Sequence, residues 1–205
     1  MYVVFDTETT GLPRSRKAAI SDVDNWPRIV QIAWETFDSR DRKIDSQNYL
    51  IRPDGFTIPR DAERVHGIST SIAEERGVPV TEALDAFVQS LSQSTVVIGH
   101  NLKFDTDVLG AEFYRLGMDD PFRQKTHTCT MLATTQFCGL PGPYGFKWPT
   151  LPELHSKLFG ESVKESHDAA ADVAACSKCF FELKRLGVIK IAFLELLECL
   201  PDAKK

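Results

Sequence analysis

Val3 to Phe5 is a short apolar run of β-forming residues behind Met1-Tyr2, and it gives way at once to Asp6-Thr7-Glu8-Thr9-Thr10-Gly11. A buried strand does not choose so polar a stretch, so the pattern predicts a strand that carries acids at its C-terminal end. A polar loop with Arg14, Arg16 and Lys17 runs from Pro13 through Pro27. Ile29-Val30-Gln31-Ile32-Ala33-Trp34 then reads as a second strand and residues 47–52 as a third. Too little helix separates these strands for parallel crossovers, which favours an antiparallel meander.

From Pro59 the period changes to that of a helix. A short segment spans Arg60 to Val65, Gly67 stops it, and Ser69 is placed to cap the next. Ala83, Leu84, Phe87, Val88 and Leu91 make a helical stripe over Thr81 to Leu91, with Thr81 as the expected cap. Thr95 to Gly99 reads as a buried strand, Phe104 to Leu116 as a helix, Thr126 to Cys129 as a short strand and Thr130 to Phe137 as a helix. A loop rich in Gly, Pro and aromatics fills 139–149. Helices are expected over Leu151 to Leu158, Ala169 to Leu186 and Ile191 to Leu197. Three strands followed by alternating helix and strand predict an α/β fold, a mixed central sheet flanked by helices.

The 205 residues suffice for one sizeable core, and no linker divides them. The expectation is a single domain over 1–205, with a core over 1–188 and a C-terminal helix and tail over 189–205. No apolar run reaches the ~18 residues of a membrane span, and an acid stands at Asp6 where a secretory signal is basic and then apolar. Five scattered Cys argue against a disulfide framework, which makes the cytoplasm the expected compartment and a membrane partner unexpected. A net charge of -5, from 24 Lys plus Arg against 29 Asp plus Glu, excludes binding nucleic acid by sheer positive charge.

The acids themselves carry the candidate chemistry. Asp6 and Glu8 lie two apart on a strand, so period-two alternation puts both on one face, where they repel unless a cation lies between them; solvated strand-end acids are the alternative. Asp105 follows a second strand and opens a helix, at the sheet edge where open α/β sheets bind ligands. Nearby Asp107 reads as solvated, or as an acid complementing the helix N-terminus. Asp172 sits about one turn into a helix begun by Ser166 or Asp168, and its alanine neighbours let that helix pack closely. His167, five residues earlier, is ~140° away on a regular helix and belongs on the loop or first turn. That placement suits a general base beside a fixed ligand, unless His167-Asp168 is only a helix start. An all-oxygen set of Asp6, Glu8, Asp105 and Asp172 selects Mg²⁺ or Mn²⁺ over zinc. Four carboxylates can hold two such ions about 3.5–4 Å apart, which points to phosphodiester hydrolysis.

Phe5-Asp6-Thr7-Glu8-Thr9-Thr10-Gly11-Leu12, His100-Asn101-Leu102-Lys103-Phe104-Asp105 and His167-Asp168-Ala169-Ala170-Ala171-Asp172 resemble, in order, the three motifs of the DEDD exonuclease superfamily, in its branch with histidine in the third motif. Val65-His66-Gly67-Ile68-Ser69 resembles a family segment between the first two. The resemblance spans residues 5 to 172. It implies an RNase H-like fold and release of nucleoside monophosphates from a 3′ end with two divalent ions. Carried over, Asp6 bridges both ions, Glu8 and Asp172 complete the ion that activates water, Asp105 supports the second, and His167 takes the proton of the attacking water. Leu12, Val65, His66 and Phe104 stand where relatives pack the terminal nucleotide, and Thr7, Thr9, Thr10 and Asn101 join them as candidate substrate contacts. Gln31 stands where relatives often have Glu, and Cys129-Thr130-Met131 where many have Asp-Thr.

Other features read as structural. Cys176 and Cys179 have C-x-x-C spacing but fall mid-helix without a second pair, and His127 and His155 lack partners at ligand spacing. Tyr144, Phe146, Lys147 and Trp148 interleave aromatics with a cation, a pattern that either stacks unpaired bases or anchors the loop. The expectation is a metal-dependent 3′–5′ exonuclease on single-stranded ends, DNA only slightly favoured over RNA because 2′-hydroxyl recognition depends on side-chain placement, with a DNA polymerase or a second copy of the chain as possible partner. The competing class is a catalytically silent binding module, which would be free to lose the acids and His167 that are all present.

Overall fold

β-Branched and aromatic residues from Tyr2 onward favour extended backbone, and Tyr2–Thr9 is β1 of the computed structural model, which describes residues 1–161 and 167–191. β2 (Ile29–Phe37) pairs antiparallel with β1 and is buried along its whole length. β3 (Lys43–Leu50) pairs antiparallel with β2 at the edge of the sheet. It starts four residues before the expected segment, because an exposed edge strand with the sequence KIDSQNYL needs no apolar alternation to announce it.

α1 (Arg60–His66) ends at Gly67, whose φ of 76° is the left-handed turn that glycine allows. α2 (Thr70–Arg76) is capped by Ser69, whose Oγ accepts from the Ile72 N–H. α3 (Val80–Ser92) begins one residue before the expected Thr81 cap, with Pro79 at that position and no side-chain cap. β4 (Val96–Gly99) leads through Asn101 into α4 (Leu102–Arg115), and β5 (Thr126–Cys129) closes the sheet. The single helix expected over Thr130 to Phe137 is two turns, α5 (Thr130–Ala133) and α6 (Thr135–Cys138), broken at Thr134 with a φ of -109°. The aromatic loop holds a small hairpin, β6 (Pro141–Gly142) and β7 (Gly145–Phe146). α7 (Leu151–Phe159) starts in a capping box between Thr150 and Glu153, and α8 (Ala169–Arg185) starts at Asp168, whose side chain accepts from the Ala171 N–H. Of the last expected helix and the tail, residues 192–205 lie outside the described residues, as does Ser166.

The five-stranded sheet runs β3-β2-β1-β4-β5, with β1, β4 and β5 parallel. Odd-numbered Val3 and Phe5 face a core that includes Trp34, Phe87 and Phe113 from β2, α3 and α4. Even-numbered Tyr2 and Val4 face the other core, built on Ala169, Val173, Cys176 and Phe180 of α8. Each fully buried large side chain contributes roughly 1.5–3 kcal/mol. This is the mixed sheet flanked by helices of the RNase H-like fold. Cys176 and Cys179 are buried packing residues. Among the described residues no helix is long and apolar enough to cross a membrane.

Candidate active site

The alternation that sorts the core also sorts the acids. Asp6 and Glu8 lie opposite Ala33 and Gln31 of β2, on the face covered by α8. Asp172 comes from the first turn of that helix, which approaches the sheet closely because its contact residue there is Ala169, fully buried. One carboxylate oxygen each of Asp6, Glu8 and Asp172 lies within 4.8 Å of the other two. Asp105 reaches the strand end from the opposite face. The backbone N–H and hydroxyl of Thr7 donate to its Oδ1 at 3.2 and 2.7 Å. Pairing between β1 and β4 stops at Val4 and Ile98, so the strand ends diverge here and a crevice opens. It is a cleft of about 460 Å³ lined by Asp6, Asp172, His167, His100, Asn101 and Trp148 among others.

Electrostatically the cluster is one-sided. Burial raises the Asp6 carboxyl well above its ordinary range, and the charges of Asp105, Asp172, Glu8 and Asp168 raise it further. Burial, with Asp172, Asp105 and Asp168, pushes Glu8 up to about 8. Burial pushes Asp105 up to about 7, against the two Thr7 hydrogen bonds that favour its ionised form. Among the described residues, the charges that raise Asp6 and Glu8 are other carboxylates, so these groups are held together at a cost that a cation would lower. Donors that are all carboxylate oxygen, converging from a strand and a helix, fit a hard divalent ion.

A glutamine holds the helix that brings Asp172. Gln31, 2% exposed, receives the Ala169 N–H at Oε1 (3.2 Å), while its Nε2 donates to Asp168 Oδ2 (3.2 Å) and Asn48 Oδ1 (2.9 Å). The N-terminus of α8 is thereby fixed to β2. His167 stands just before the Asp168 cap, outside the helix as the spacing predicts, with a φ of 45° that few non-glycine residues adopt. His100 spans the cleft floor, Nδ1 on Thr130 Oγ1 (3.0 Å) and Nε2 on Pro149 O (2.9 Å), and burial lowers its pKa.

The expected substrate contacts fall in several different places. Thr7 and Thr9 are buried, their hydroxyls donating to Asp105 and to Gly11 O, and Thr10 Oγ1 accepts from the Arg28 N–H. Leu12 and Val65 project into solvent, 73% and 52% exposed. His66 lies beside the Thr9 backbone, near enough to His167 to feel its charge, and its pKa is lowered mainly by burial. Asn101, with a left-handed φ of 69°, and Phe104 line a second, smaller cleft next to the first. Gln31 and His100 are site residues to which sequence reasoning assigned no role, and Trp148 lines the acid cleft where the loop pattern had left base stacking and loop anchoring both open. Their signals were a polar residue inside an apolar strand, a His following a strand, and a Trp in a loop.

The RNase_T exonuclease family model matches residues 3–180. The DNA polymerase III subunit epsilon of Treponema pallidum is 29% identical over 181 residues, covering 87% of this chain and 74% of that one. Human three-prime repair exonuclease 1 is 24% identical, over 84% of this chain and 60% of its own. Among solved structures, E. coli exonuclease I in complex with a dT13 oligonucleotide superposes with a TM-score of 0.68 at 22% identity, over 91% of this chain. The chain spans 42% of that larger protein.

Proposed function

Since the chain belongs to the RNase_T exonuclease family of the DEDD superfamily and is a 3′–5′ exonuclease, we propose that it removes nucleoside 5′-monophosphates from single-stranded 3′ ends, with DNA as the preferred strand and Mg²⁺ or Mn²⁺ as cofactor. The observation that carries this is the convergence of Asp6, Glu8 and Asp172 oxygens within 4.8 Å, with Asp105 adjoining. Asp6, Glu8 and Asp172 would hold one ion, and Asp6 with Asp105 a second. When bound, such ions supply charge neutralisation at the scissile phosphate and lower the pKa of the attacking water.

The chain's own residues do the rest. His167, on the backbone just outside α8, accepts the proton of the attacking water at an imidazole nitrogen. A P–O bond to that water's oxygen forms as the P–O3′ bond breaks. The shortened strand keeps a 3′-hydroxyl, and the released nucleotide carries the 5′-phosphate. Gln31 keeps His167 and Asp172 in register with Asp6, and the Thr7 hydroxyl aims Asp105. The recessed acids favour a single strand, because a paired end is too wide to bring its phosphate to the floor of the cleft. DNA is preferred on the strength of the relatives, a DNA polymerase subunit and an exonuclease bound to oligothymidylate. The Treponema relative also makes a DNA polymerase the first partner to test.

Matched DNA and RNA strands, labelled at the 5′ or the 3′ end, test this in Mg²⁺, Mn²⁺ or EDTA. A 5′-labelled DNA strand should shorten stepwise while the 3′-labelled one releases mononucleotide at once, and EDTA should stop both. Cleavage that persists in EDTA, or a ladder growing from the 5′ end, would overturn the proposal.

A further inference from the structure

One aromatic beside the acids has no role in the chemistry above and is nevertheless held firmly in place. Of the three tryptophans, Trp34 and Trp26 are buried, whereas Trp148 is 56% exposed. Its neighbours fix it on both sides. The Lys147 N–H donates to Leu140 O at 2.9 Å and its Nζ pairs with Glu153 at 2.5 Å, while Pro149 O meets His100 Nε2 at 2.9 Å. Pro149 also confines the Trp148 backbone to extended conformations. The backbone hydrogen bonds and the Lys147–Glu153 pair hold the loop without burying Trp148. A solvent-facing indole on a backbone held at both neighbours forgoes the burial that large aromatics normally gain and leaves its face open to a ligand.

Its position says what that is. Trp148 lines the acid cleft and also the adjoining cleft of about 230 Å³, whose wall is largely apolar through Phe104, Met131 and Leu132. Arg16, exposed, stands at the junction of the two. A flat π-face, an apolar wall and a cation, continuous with a centre for phosphodiester chemistry, match a nucleobase and its phosphate. A base inside a duplex already has both faces stacked, so only an unpaired one can be received.

We propose that Trp148 is a stacking platform for an unpaired base of the strand whose 3′ end lies at the acids, with Arg16 at the adjoining phosphate. This rests on the exonuclease function proposed above. It assigns the loop a part in single-strand selection: the indole holds the strand open where its end enters the cleft.

Trp26 and Trp34 emit as well, and Trp26 lines the smaller cleft, so the fluorescence signal of Trp148 is the difference between wild type and Trp148→Leu. The probe is an oligothymidylate with non-hydrolysable phosphorothioate 3′ linkages, titrated in Mg²⁺. Emission should be quenched saturably in the wild type and much less in Trp148→Leu. A strand of equal length and charge lacking its 3′-terminal bases should quench little. The Trp148→Leu Kd, from anisotropy of the labelled strand, should rise about 5- to 150-fold, the range of one lost base stack. Trp148→Tyr should recover most of the affinity, which a merely misfolded loop would not allow. A Trp148→Leu Kd within twofold of wild type, or equal quenching by the abasic strand, would overturn the inference. If the wild type degrades ordinary single strands while either of those results holds, the platform falls and the exonuclease stands. If it degrades no strand in Mg²⁺ or Mn²⁺, both fall.

Discussion

Replacing Glu8 with Gln should make the metal-free protein more stable at neutral pH. In the native state the Glu8 carboxyl titrates at about 8 instead of 4.5, because burial and the surrounding carboxylates oppose its charge. A raised acid favours folding fully below its unfolded pKa and loses that contribution as pH climbs to the folded value, here from about 4.5 to about 8. At about 1.4 kcal/mol for each tenfold change in proton affinity, roughly 3 kcal/mol is lost by pH 7. Solvent screening of a partly exposed group trims this to about 2 kcal/mol. For a chain of this size that is a Tm difference of about 4–8 °C. The assay is calorimetric melting of wild type and Glu8→Gln in EDTA between pH 5 and 8.5. The two curves should nearly meet at pH 5 and separate toward pH 8, with the variant higher. Adding Mg²⁺ or Mn²⁺ at pH 8 should raise the wild-type Tm, since a ligand at a hundred times its Kd contributes about 2.7 kcal/mol, and should raise the variant's less. Parallel pH profiles, or a variant that melts below wild type at pH 8 in EDTA, would refute the reasoning.

Two further substitutions test the supports of the site. Gln31→Leu strips the buried Ala169 N–H and Asp168 of their partner and should cost about 1–3 kcal/mol in urea unfolding. It should also lower turnover at saturating substrate, because His167 and Asp172 are no longer fixed to β2; unchanged stability and turnover would remove Gln31 from this role. Glu112, 1% exposed, accepts from Arg28 Nε at 2.8 Å and pairs with Arg115 at 3.1 Å. Glu112→Ala leaves two guanidinium groups without their counter-charge and should cost roughly 3–5 kcal/mol by chemical denaturation; a cost below about 1 kcal/mol would contradict the pairing.

What was legible in the sequence is what short-range periodicity encodes. Alternation along Tyr2–Thr9 put Asp6 and Glu8 on one face, and the acid among alanines at the start of α8 marked Asp172. The edge strand β3 was half seen, because its Lys43–Asp45 start is exposed and paired on one side only. The break at Thr134 was missed, because its hydroxyl turns back to Thr130 O at 2.7 Å in a segment with no Gly or Pro to mark a stop. The link from Gln31 to Asp168 and Ala169 crosses more than 130 positions of chain, and it follows only once β2 is known to lie under α8. Trp148 was visible as an aromatic in a loop, but its fixation between Lys147 and Pro149 is a property of the folded site.

The central claim, that the carboxylates on β1 and α8 carry out the hydrolysis, rests most directly on Asp6, which adjoins every other acid of the cluster. The measurement is turnover of a 5′-labelled single strand by wild type and Asp6→Asn across a Mg²⁺ titration, with both proteins shown folded by circular dichroism. The wild type should shorten the strand from its 3′ end with saturable dependence on Mg²⁺, and Asp6→Asn should leave it intact at every concentration. Wild-type turnover in the Asp6→Asn protein would contradict the account.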